Sequence, residues 1–514
     1  MASPALLAQV HDHRWWLLVV SFIALYAVRK IQTYRRLSAF KGPFGVGFTS
    51  FWHSWSFLTW RSHLFYKEII DEYGPIARVG PNDLVTSSPE LLAHMSAVRS
   101  PYSRGEWYNR ATRYQPGKDH IFSELDEEKH KRRRQQMAPG YSGKENLSLE
   151  SSIDLHVLEL VDLIRTKYLS TETQARPFDF ARKIQFFTLD VISHVGFGEP
   201  FGDLRTDQDV NEYVKAGEIG LTVTTVGLAL GITRFLQLPL VARALGPSEK
   251  DVVGFGRMIA NARPLIQKRL ERETDNRSDM LASFVRSGLD ADELVSETVL
   301  QIIAGSDTTA TALRSIMLYL FSHPRVYAKL QAEIHATAQE RKYKGVIPDS
   351  EVRKLPYLQA VIKEGMRMHP PITDSVPKRV PDGGDTVVVD GKSVFLPGGA
   401  LVSYAAWPLH HSKAIFGDDA GVFRPERWLS KNLKDEKKML EMNRTHELIF
   451  GYGKYQCLGK PIALMEIGKV VFELLRNFDW CLSNPENPWS EYNCMGIFVH
   501  SNMSVTASEQ DFKS

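Results

Sequence analysis

The sequence predicts a mainly α-helical protein with a small β region, preceded by an apolar segment near the N-terminus. Residues 295–320 carry apolar side chains at helical spacing, which is typical of a helix with one buried face. Residues 386–389 and 393–396 flank Asp390-Gly391, a pair that favours a tight β-hairpin turn. The third observation is a continuous apolar run at residues 15–28.

Composition places the chain among globular proteins with a large core. It has 514 residues, of which 43% are hydrophobic and 24% charged, and no linker-like or repetitive stretch interrupts it. The formal net charge of +3 argues against a nucleic-acid-binding protein, which would be strongly basic on one face. The three cysteines, Cys457, Cys481 and Cys494, are too few for a disulfide framework and fit a reducing compartment.

The N-terminal run predicts a membrane anchor. Its apolar stretch is shorter than the roughly 17–25 residues that a span needs, but flanking Trp15, Trp16, Arg29 and Lys30 can extend it to about residues 15–30. No small-residue cleavage site follows, which argues against the alternative of a cleaved signal peptide. Because the basic residues lie downstream, the remainder of the chain is predicted in the cytosol. Four glycosylation sequons would then stay unmodified: Asn146, Asn276, Asn443 and Asn502.

The run from Phe450 to Gly459 surrounds Cys457 with residues suited to a haem-thiolate site. A cysteine thiolate that ligates haem iron donates electron density and favours O–O cleavage. Gly453 and Gly459 permit tight turns and close backbone approach, and Phe450 would shield the sulfur. A cysteine taken alone is more often an inert buried residue, so the interpretation depends on further motifs.

A second motif lies inside the predicted helix 295–320. Ala304 and Gly305 are small, which indicates either a close helix contact or room for a diatomic ligand. Thr308 could offer a hydroxyl group to bound oxygen, and Asp307 could supply protons. Buried aspartate is rare unless it is paired, which favours the functional interpretation.

Further motifs follow along the chain. Glu364 and Arg367 lie three residues apart, so they share a helix face and can pair, although such pairs are common on surfaces. Pro370-Pro371 ends this predicted helix. In this order the motifs resemble those of the cytochrome P450 superfamily of haem-thiolate monooxygenases. By this resemblance, Arg427 joins Glu364 and Arg367 in a buried network that supports the cysteine loop.

The resemblance in the cysteine loop is to the pattern Phe-x-x-Gly-x-Arg-x-Cys-x-Gly. Phe450, Gly453, Cys457 and Gly459 match it, whereas Tyr455 stands where the family has arginine or histidine. The resemblance implies one mainly α domain with a small β region over residues 40–514, after an anchor and basic linker at 1–39. The amino-acid sequence of the cysteine loop, residues 450–461, resembles that of filamentous-fungal members of the superfamily.

The resemblance also implies a cofactor and its contacts. Haem b would be ligated through its iron by Cys457 and held by the loop residues Phe450, Gly453 and Gly459, with Asp307 and Thr308 as catalytic residues. The haem propionates would meet His130 and Arg134, and Arg379 is a third candidate. Where Tyr455 replaces the usual basic residue, either its hydroxyl group or the charge of Lys454 could reach a propionate.

Partners are implied in the same way. Electrons would come from NADPH through a flavoprotein reductase, which could dock on a basic patch formed by the outward-facing Lys131, Arg132 and Arg133. A lipophilic substrate is favoured, because the stretches that would form the pocket are apolar or small. They are residues 102–114, 221–230, the surroundings of Ala304, 372–376 and 495–498.

The sequence therefore predicts a membrane-anchored monooxygenase of the endoplasmic reticulum. It would insert one oxygen atom from O2 into a lipophilic small molecule, as a step in fungal secondary metabolism. Two alternatives stay open: a haem-thiolate isomerase or dehydratase that needs no oxygen, and a non-catalytic haem-binding protein. The substrate, the carbon attacked, and the choice among hydroxylation, epoxidation and desaturation are not determined by the motifs.

Overall fold

A computed structural model of the chain describes residues 4–115, 117–271, 277–341, 345–429 and 436–510. Its helices are α1 (Pro4–Arg36), α2 (Phe51–Leu58), α3 (Ser62–Tyr73), α4 (Pro89–Ser96), α5 (Trp107–Thr112), α6 (Glu127–Tyr141), α7 (Leu149–Leu163), α8 (Phe180–Phe197), α9 (Asp203–Thr206), α10 (Tyr213–Ala229), α11 (Pro239–Leu245), α12 (Gly254–Leu270), α13 (Met280–Arg286), α14 (Ala291–Ser322), α15 (Pro324–Arg341), α16 (Asp349–Val352), α17 (Pro356–Met368), α18 (Ala406–His410), α19 (Lys413–Phe416), α20 (Glu436–Glu447) and α21 (Lys460–Asn477). Its strands are β1 (Ile76–Arg78), β2 (Asp83–Thr86), β3 (Ser103–Arg104), β4 (Leu169–Ser170), β5 (Phe178–Asp179), β6 (Lys378–Arg379), β7 (Asp385–Val389), β8 (Lys392–Leu396), β9 (Leu401–Tyr404), β10 (Phe478–Leu482), β11 (Ser490–Cys494), β12 (Ile497–Ser501) and β13 (Ser504–Glu509).

The long helix α14 forms the centre of the helical core and confirms the helix predicted at residues 295–320. It starts with a capping box, in which Asp290 and Glu293 each accept from the other's backbone N–H. The apolar side chains of Val295, Val299 and Ile302 are buried, and α14 packs along α8. The predicted mainly α fold class is confirmed.

The β structure includes the predicted hairpin and more. Strands β7 and β8 pair antiparallel around Asp390 and Gly391, whose φ angles of 49° and 71° are those of a tight turn. A five-stranded sheet has the order β1-β2-β9-β6-β3, and two smaller sheets contain β10-β13-β4 and β11-β12. The sequence did not predict these strands, because segments of two to six residues are too short to show a clear alternating pattern.

The N-terminal helix is longer than the apolar run suggested. Within α1, Trp15–Arg36 is 22 residues long and apolar enough to cross a membrane, and it is the one such candidate among the described residues. Its end contacts the rest of the chain, since Arg78 donates hydrogen bonds to Tyr34 O at 3.0 Å and Thr33 O at 3.2 Å. The following Leu37 is fully buried. The helix therefore ends against the folded domain.

The Glu364–Arg367–Arg427 network is present and fully buried. Glu364 Oε1 lies 2.8 Å from Arg367 Nη2 and 2.8 Å from Arg427 Nε, while Trp428 Nε1 donates to Glu364 Oε2 at 2.9 Å. Burial alone would raise the pKa of Glu364, but the hydrogen bonds and charges of the two arginines hold it below its usual value. Arg367 also donates to His410 O, which ties α17 to α18. The predicted network is confirmed.

Candidate active site

A cavity of about 340 Å³ lies between α14 and the cysteine loop. Its floor is the loop that precedes α21, and its roof is the middle of α14. Residues from α6, from β3 and from the segment after α17 close its sides. The cavity therefore brings together segments that are more than about 350 residues apart in the sequence. Of the predicted site residues, it is lined by His130, Arg134, Thr308, Phe450, Cys457 and Gly459.

Cys457 lies on the floor of the cavity with its side chain accessible from within. Its backbone N–H donates to Phe450 O at 2.7 Å, which closes the loop, and Gly451 provides the positive φ of 71° that the turn requires. Burial raises the pKa of the Cys457 thiol, while the N–H groups of Gly459 and Lys460 act against that shift. The sulfur is thus surrounded by donors at the start of α21.

The two glycines of the motif have different surroundings. A Cβ atom on Gly459 would lie 3.8 Å from Cys457 Sγ, so this glycine borders the sulfur. Gly453 has a φ of 56°, and a Cβ atom there would lie 2.2 Å from Ser96 O. It does not line the cavity. Gly453 is needed for the packing of the loop against the end of α4, whereas its predicted role beside the cofactor has no contact to support it.

The roof of the cavity is the Ala304–Thr308 segment of α14. Ala304 is exposed to the cavity, and Thr308 Oγ1 donates to Ala304 O at 2.8 Å. A Cβ atom on Gly305 would lie 2.8 Å from the side chain of Ile192 on α8. Both interpretations of the Ala-Gly pair therefore apply, since Ala304 leaves space in the cavity and Gly305 permits a close helix contact.

Asp307 does not line this cavity and faces a smaller one between α8 and α10. Gln185 Nε2 donates to Asp307 Oδ1 at 2.8 Å, and Glu218 and Arg314 also line the smaller cavity. Burial raises the pKa of Asp307 to about 6, despite the opposing charge of Arg314. Asp307 is therefore a carboxyl group that can exchange a proton near neutral pH, one residue from Thr308.

Four basic side chains line one side of the cavity: Arg104, His130, Arg134 and Lys378. Arg104 Nη2 lies 3.0 Å from His130 Nε2. Burial, with the nearby charges of Arg104 and Arg134, lowers the pKa of His130 to about 3, so its ring is neutral and accepts this hydrogen bond. Burial and the charge of Arg104 also bring the pKa of Lys378 well below its usual value.

Tyr455 organises this basic cluster. Lys378 Nζ lies 3.6 Å from the centroid of its ring, and the Arg104 guanidinium lies at 4.9 Å. The Tyr455 hydroxyl group donates to Glu127 Oε1 at 2.5 Å. Lys454 turns away from the cavity and donates to Tyr102 O at 2.8 Å. Tyr455 therefore supplies no positive charge itself, but its ring holds two basic side chains from other segments beside the cavity.

The cavity fits haem b. Among the described residues no carboxylate pairs with the side chains of these four basic residues, because Glu127 contacts Tyr455, Lys454 and the backbone N–H of Arg104. The cluster therefore retains positive charge that two propionates would balance. Arg104 Nε is buried and has no hydrogen-bond partner in the described part of the chain. Cys457 provides a thiolate ligand on the floor. The basic side chains and the thiolate therefore match haem b, which carries two propionates and an iron ion that a cysteine can ligate.

Two predicted basic residues lie elsewhere. Arg379 is exposed and pairs with Asp382 at 2.8 Å, so the structure does not bring it to the cavity, because its neighbour Lys378 takes the inward side of strand β6. The prediction that Arg133 faces outward is wrong. Its guanidinium lies 2.6 Å from Glu297 Oε1 of α14 and is mostly buried.

Two of the segments that were predicted to form walls of the pocket do not line the cavity. None of residues 221–230 or 495–498 lines the main cavity. Phe498 instead packs against His369, with ring centroids 4.2 Å apart. Ala304, Ile372 and Val376 do line the cavity as predicted. Sequence reasoning missed Arg104 and Lys378. Arg104 is one of three arginines in residues 102–114, and Lys378 lies two residues beyond the segment 372–376, so no local pattern distinguished them.

Replacing Lys378 with methionine is expected to weaken haem retention. The change removes a donor that a propionate would keep charged, and it keeps the length of the side chain. A hydrogen bond to a charged group contributes about 1.5–3 kcal/mol, so the rate of haem transfer to apomyoglobin is expected to rise roughly ten- to hundredfold. Arg379→Met is the matched control and should leave the rate unchanged; an effect of equal size in both variants would contradict the assignment.

Comparison with known proteins agrees with this geometry. The sequence model of the family described as Cytochrome P450 matches residues 45–504. Cytochrome P450 monooxygenase ABA1 of Pyricularia oryzae is 39% identical over 499 residues, which cover 95% of this chain and 96% of the relative. Cytochrome P450 monooxygenase aba1 of Botryotinia fuckeliana is 36% identical, with 90% of each chain covered. This chain therefore belongs to the cytochrome P450 family and is a haem b monooxygenase that takes electrons from NADPH through a reductase.

Proposed function

We propose that this protein inserts one oxygen atom from O2 into a lipophilic small molecule in fungal secondary metabolism, while anchored in the endoplasmic reticulum membrane. Residues 1–39 would form the anchor and basic linker, and residues 40–514 the catalytic domain in the cytosol. The relatives compared above are fungal and carry monooxygenase names, which supports the reaction class. The proposal extends that class to a location and a kind of substrate.

One observation carries the catalytic part of the proposal: Cys457 and Thr308 face the same cavity from opposite sides. Haem held there would supply oxygen activation by a thiolate-ligated iron. Thr308 would place its own hydroxyl group on the side of the cavity opposite Cys457. Asp307, with a pKa of about 6, would restore protons to that side from the smaller cavity behind α14.

The walls near α14 favour a lipophilic substrate. Ile121, Phe122, Leu300 and Ile372 line the cavity with apolar side chains. The basic cluster faces the same cavity but would be occupied by the propionates. A charged substrate would then lack partners, whereas an apolar molecule would be desolvated by these walls.

Oxygen labelling tests the reaction. Purified protein is combined with a P450 reductase, NADPH and a library of lipophilic metabolites under ¹⁸O2. We expect at least one product to gain one labelled oxygen atom, detected by mass spectrometry, with the label absent when NADPH is omitted. Product formation without label or NADPH would instead assign an isomerase or dehydratase, and haem binding without any turnover would favour a non-catalytic role.

The Thr308→Ala variant is expected to uncouple electron consumption from product formation. Proton transfer by a positioned group contributes about a hundredfold or more to a rate, so product per NADPH should fall at least about tenfold while peroxide rises. Ser306→Ala is the matched control, because Ser306 makes the same bond to a carbonyl one turn earlier but is buried away from the cavity. Equal coupling in the wild type and Thr308→Ala would remove Thr308 from the proton path.

Exposed apolar side chains support contact with a membrane beyond the anchor. Phe44, Phe51 and Trp55 are exposed on α2 and the loop before it, close to the end of α1. Phe235 and Leu240 are exposed in the segment after α10, and α10 packs against α2. These exposed apolar side chains would lie in the lipid interface.

Glycosylation tests the orientation. A sequon placed on a short N-terminal extension is expected to be modified in yeast microsomes, whereas the native Asn502 sequon should stay unmodified. Asn146 is uninformative because it is buried, and Asn276 lies outside the described residues. The control lacks residues 1–29 but keeps Thr33 to Arg36, which contact the domain. Modification of Asn502 would show that the orientation is the reverse of the proposed one. An unmodified extension on the full chain would show that the N-terminal helix does not anchor the protein across the membrane.

A further inference from the structure

A second cluster of ligating side chains lies outside the haem cavity. Glu491 and His500 form a cross-strand pair in the hairpin β11–β12, and His369 is the residue that ends α17. Glu491 Oε2 lies 2.8 Å from His500 Nε2 and 2.9 Å from His369 Nε2. One ligand atom from each of the three residues lies within 4.8 Å of the other two.

The two histidines of the cluster are buried, whereas Glu491 lies at its exposed edge, and the cluster is only partly satisfied. His369 and His500 are each 4% exposed, and so is His63 on α3, which lies beside them. Within the cluster, His500 Nε2 hydrogen-bonds with Glu491, whereas His369 Nε2 lies 2.9 Å from the same carboxylate oxygen without a hydrogen bond to it. The other ring nitrogen of His500, Nδ1, and His63 Nδ1 are buried without a hydrogen-bond partner among the described residues. Buried polar atoms are normally paired, so the unsatisfied His369 Nε2 beside the carboxylate calls for a further ligand.

We propose that His369, Glu491 and His500 form a binding site for a divalent transition-metal ion of the zinc class. Two imidazoles and one carboxylate are a known ligand set for such ions, with an open fourth position. Tetrahedral bonds of about 2.0–2.1 Å place ligand atoms about 3.4 Å apart, so the two contacts to Glu491 need to widen by about half an ångström. Trp407, Trp489 and Phe498 surround the histidines and would restrict water.

The proposed metal site lies next to a segment that lines the main cavity. The same hairpin contacts the segment after α17, where Thr373 N donates to Gly496 O at 2.8 Å and Ile372 pairs with Ile497. Ile372 lines the main cavity. A metal ion at the hairpin base would therefore fix this wall of the substrate cavity relative to α17. The site itself does not depend on the proposed substrate or location.

Zinc binding to the purified haem-loaded protein tests the site. After treatment with EDTA and desalting, the protein is titrated calorimetrically with zinc chloride, and bound zinc and iron are counted by plasma mass spectrometry. We expect zinc equal to haem iron in the wild type, and affinity at least about tenfold weaker in Glu491→Gln and His500→Gln. His194→Gln, in a separate histidine pair between α7 and α8, should bind zinc like the wild type.

The alternative outcome is a purely hydrogen-bonded cluster. Wild-type affinity for zinc no tighter than that of Glu491→Gln would establish that alternative and overturn the proposal. If these variants do not fold, a wild-type crystal soaked in zinc is measured at the zinc absorption edge. We expect an anomalous peak within bonding distance of all three residues. A peak elsewhere, or none, would also overturn the proposal.

Discussion

Replacing Cys457 with alanine is expected to abolish both thiolate ligation of haem and product formation. Cys457 lies on the cavity floor, and among the described residues no other cysteine lines that cavity. Alanine has no atom that can ligate iron, so the reduced protein with carbon monoxide should lose the thiolate-type Soret band. Turnover with reductase and NADPH should fall to background.

The control for this change is Cys481→Ala. Cys481 is an exposed cysteine on strand β10 and does not line the cavity, so its loss should change neither the spectrum nor the rate. Thermal unfolding should be compared for both variants, to separate loss of the ligand from loss of the fold. A Cys457→Ala protein that keeps a thiolate-type Soret band would show that the ligand is another residue.

Replacing Glu364 with glutamine is expected to produce the largest loss of stability among single substitutions in the Glu364–Arg367–Arg427 network. The change leaves Arg367 and Arg427 buried without their shared counter-ion. Breaking a buried ion pair from one side costs about 3–5 kcal/mol, a large part of the 5–15 kcal/mol that holds a typical protein folded. The free energy of unfolding, from urea titration of the haem-loaded protein without its anchor, measures the effect.

Glu426→Gln is the matched control for that measurement. Glu426 lies two residues from Trp428 and pairs with Lys329, but its side chain is 35% exposed, so its loss should cost no more than about 1 kcal/mol. Haem content should fall in Glu364→Gln and not in the control, because the network ties α17 to the segments that precede the cysteine loop. Equal stability of the two variants would mean that the buried charges contribute little.

Local patterns predicted much of this architecture. The apolar spacing of α14, the Asp390-Gly391 turn and the Glu364–Arg367 pair each depend on residues a few positions apart, so the sequence carries them directly. The five-stranded sheet was not predictable in this way. Its strands β2 and β9 pair Thr86 with Tyr404, residues more than three hundred positions apart. Such pairings are selected by the packing of the whole chain.

The residues of the candidate site can be separated in the same way, into those that local motifs predicted and those that only the tertiary structure identified. The sequence by itself determined the cysteine loop, the Ala304–Thr308 segment and the buried charge network, because each has a chemical requirement that a short motif expresses. The tertiary structure decided which basic side chains face the cavity. Strand alternation turns Lys378 inward and Arg379 outward, and Tyr455 holds Lys378 and Arg104 over its ring. The direction of a side chain depends on which face of its strand or helix is packed, and that is fixed only when distant segments meet.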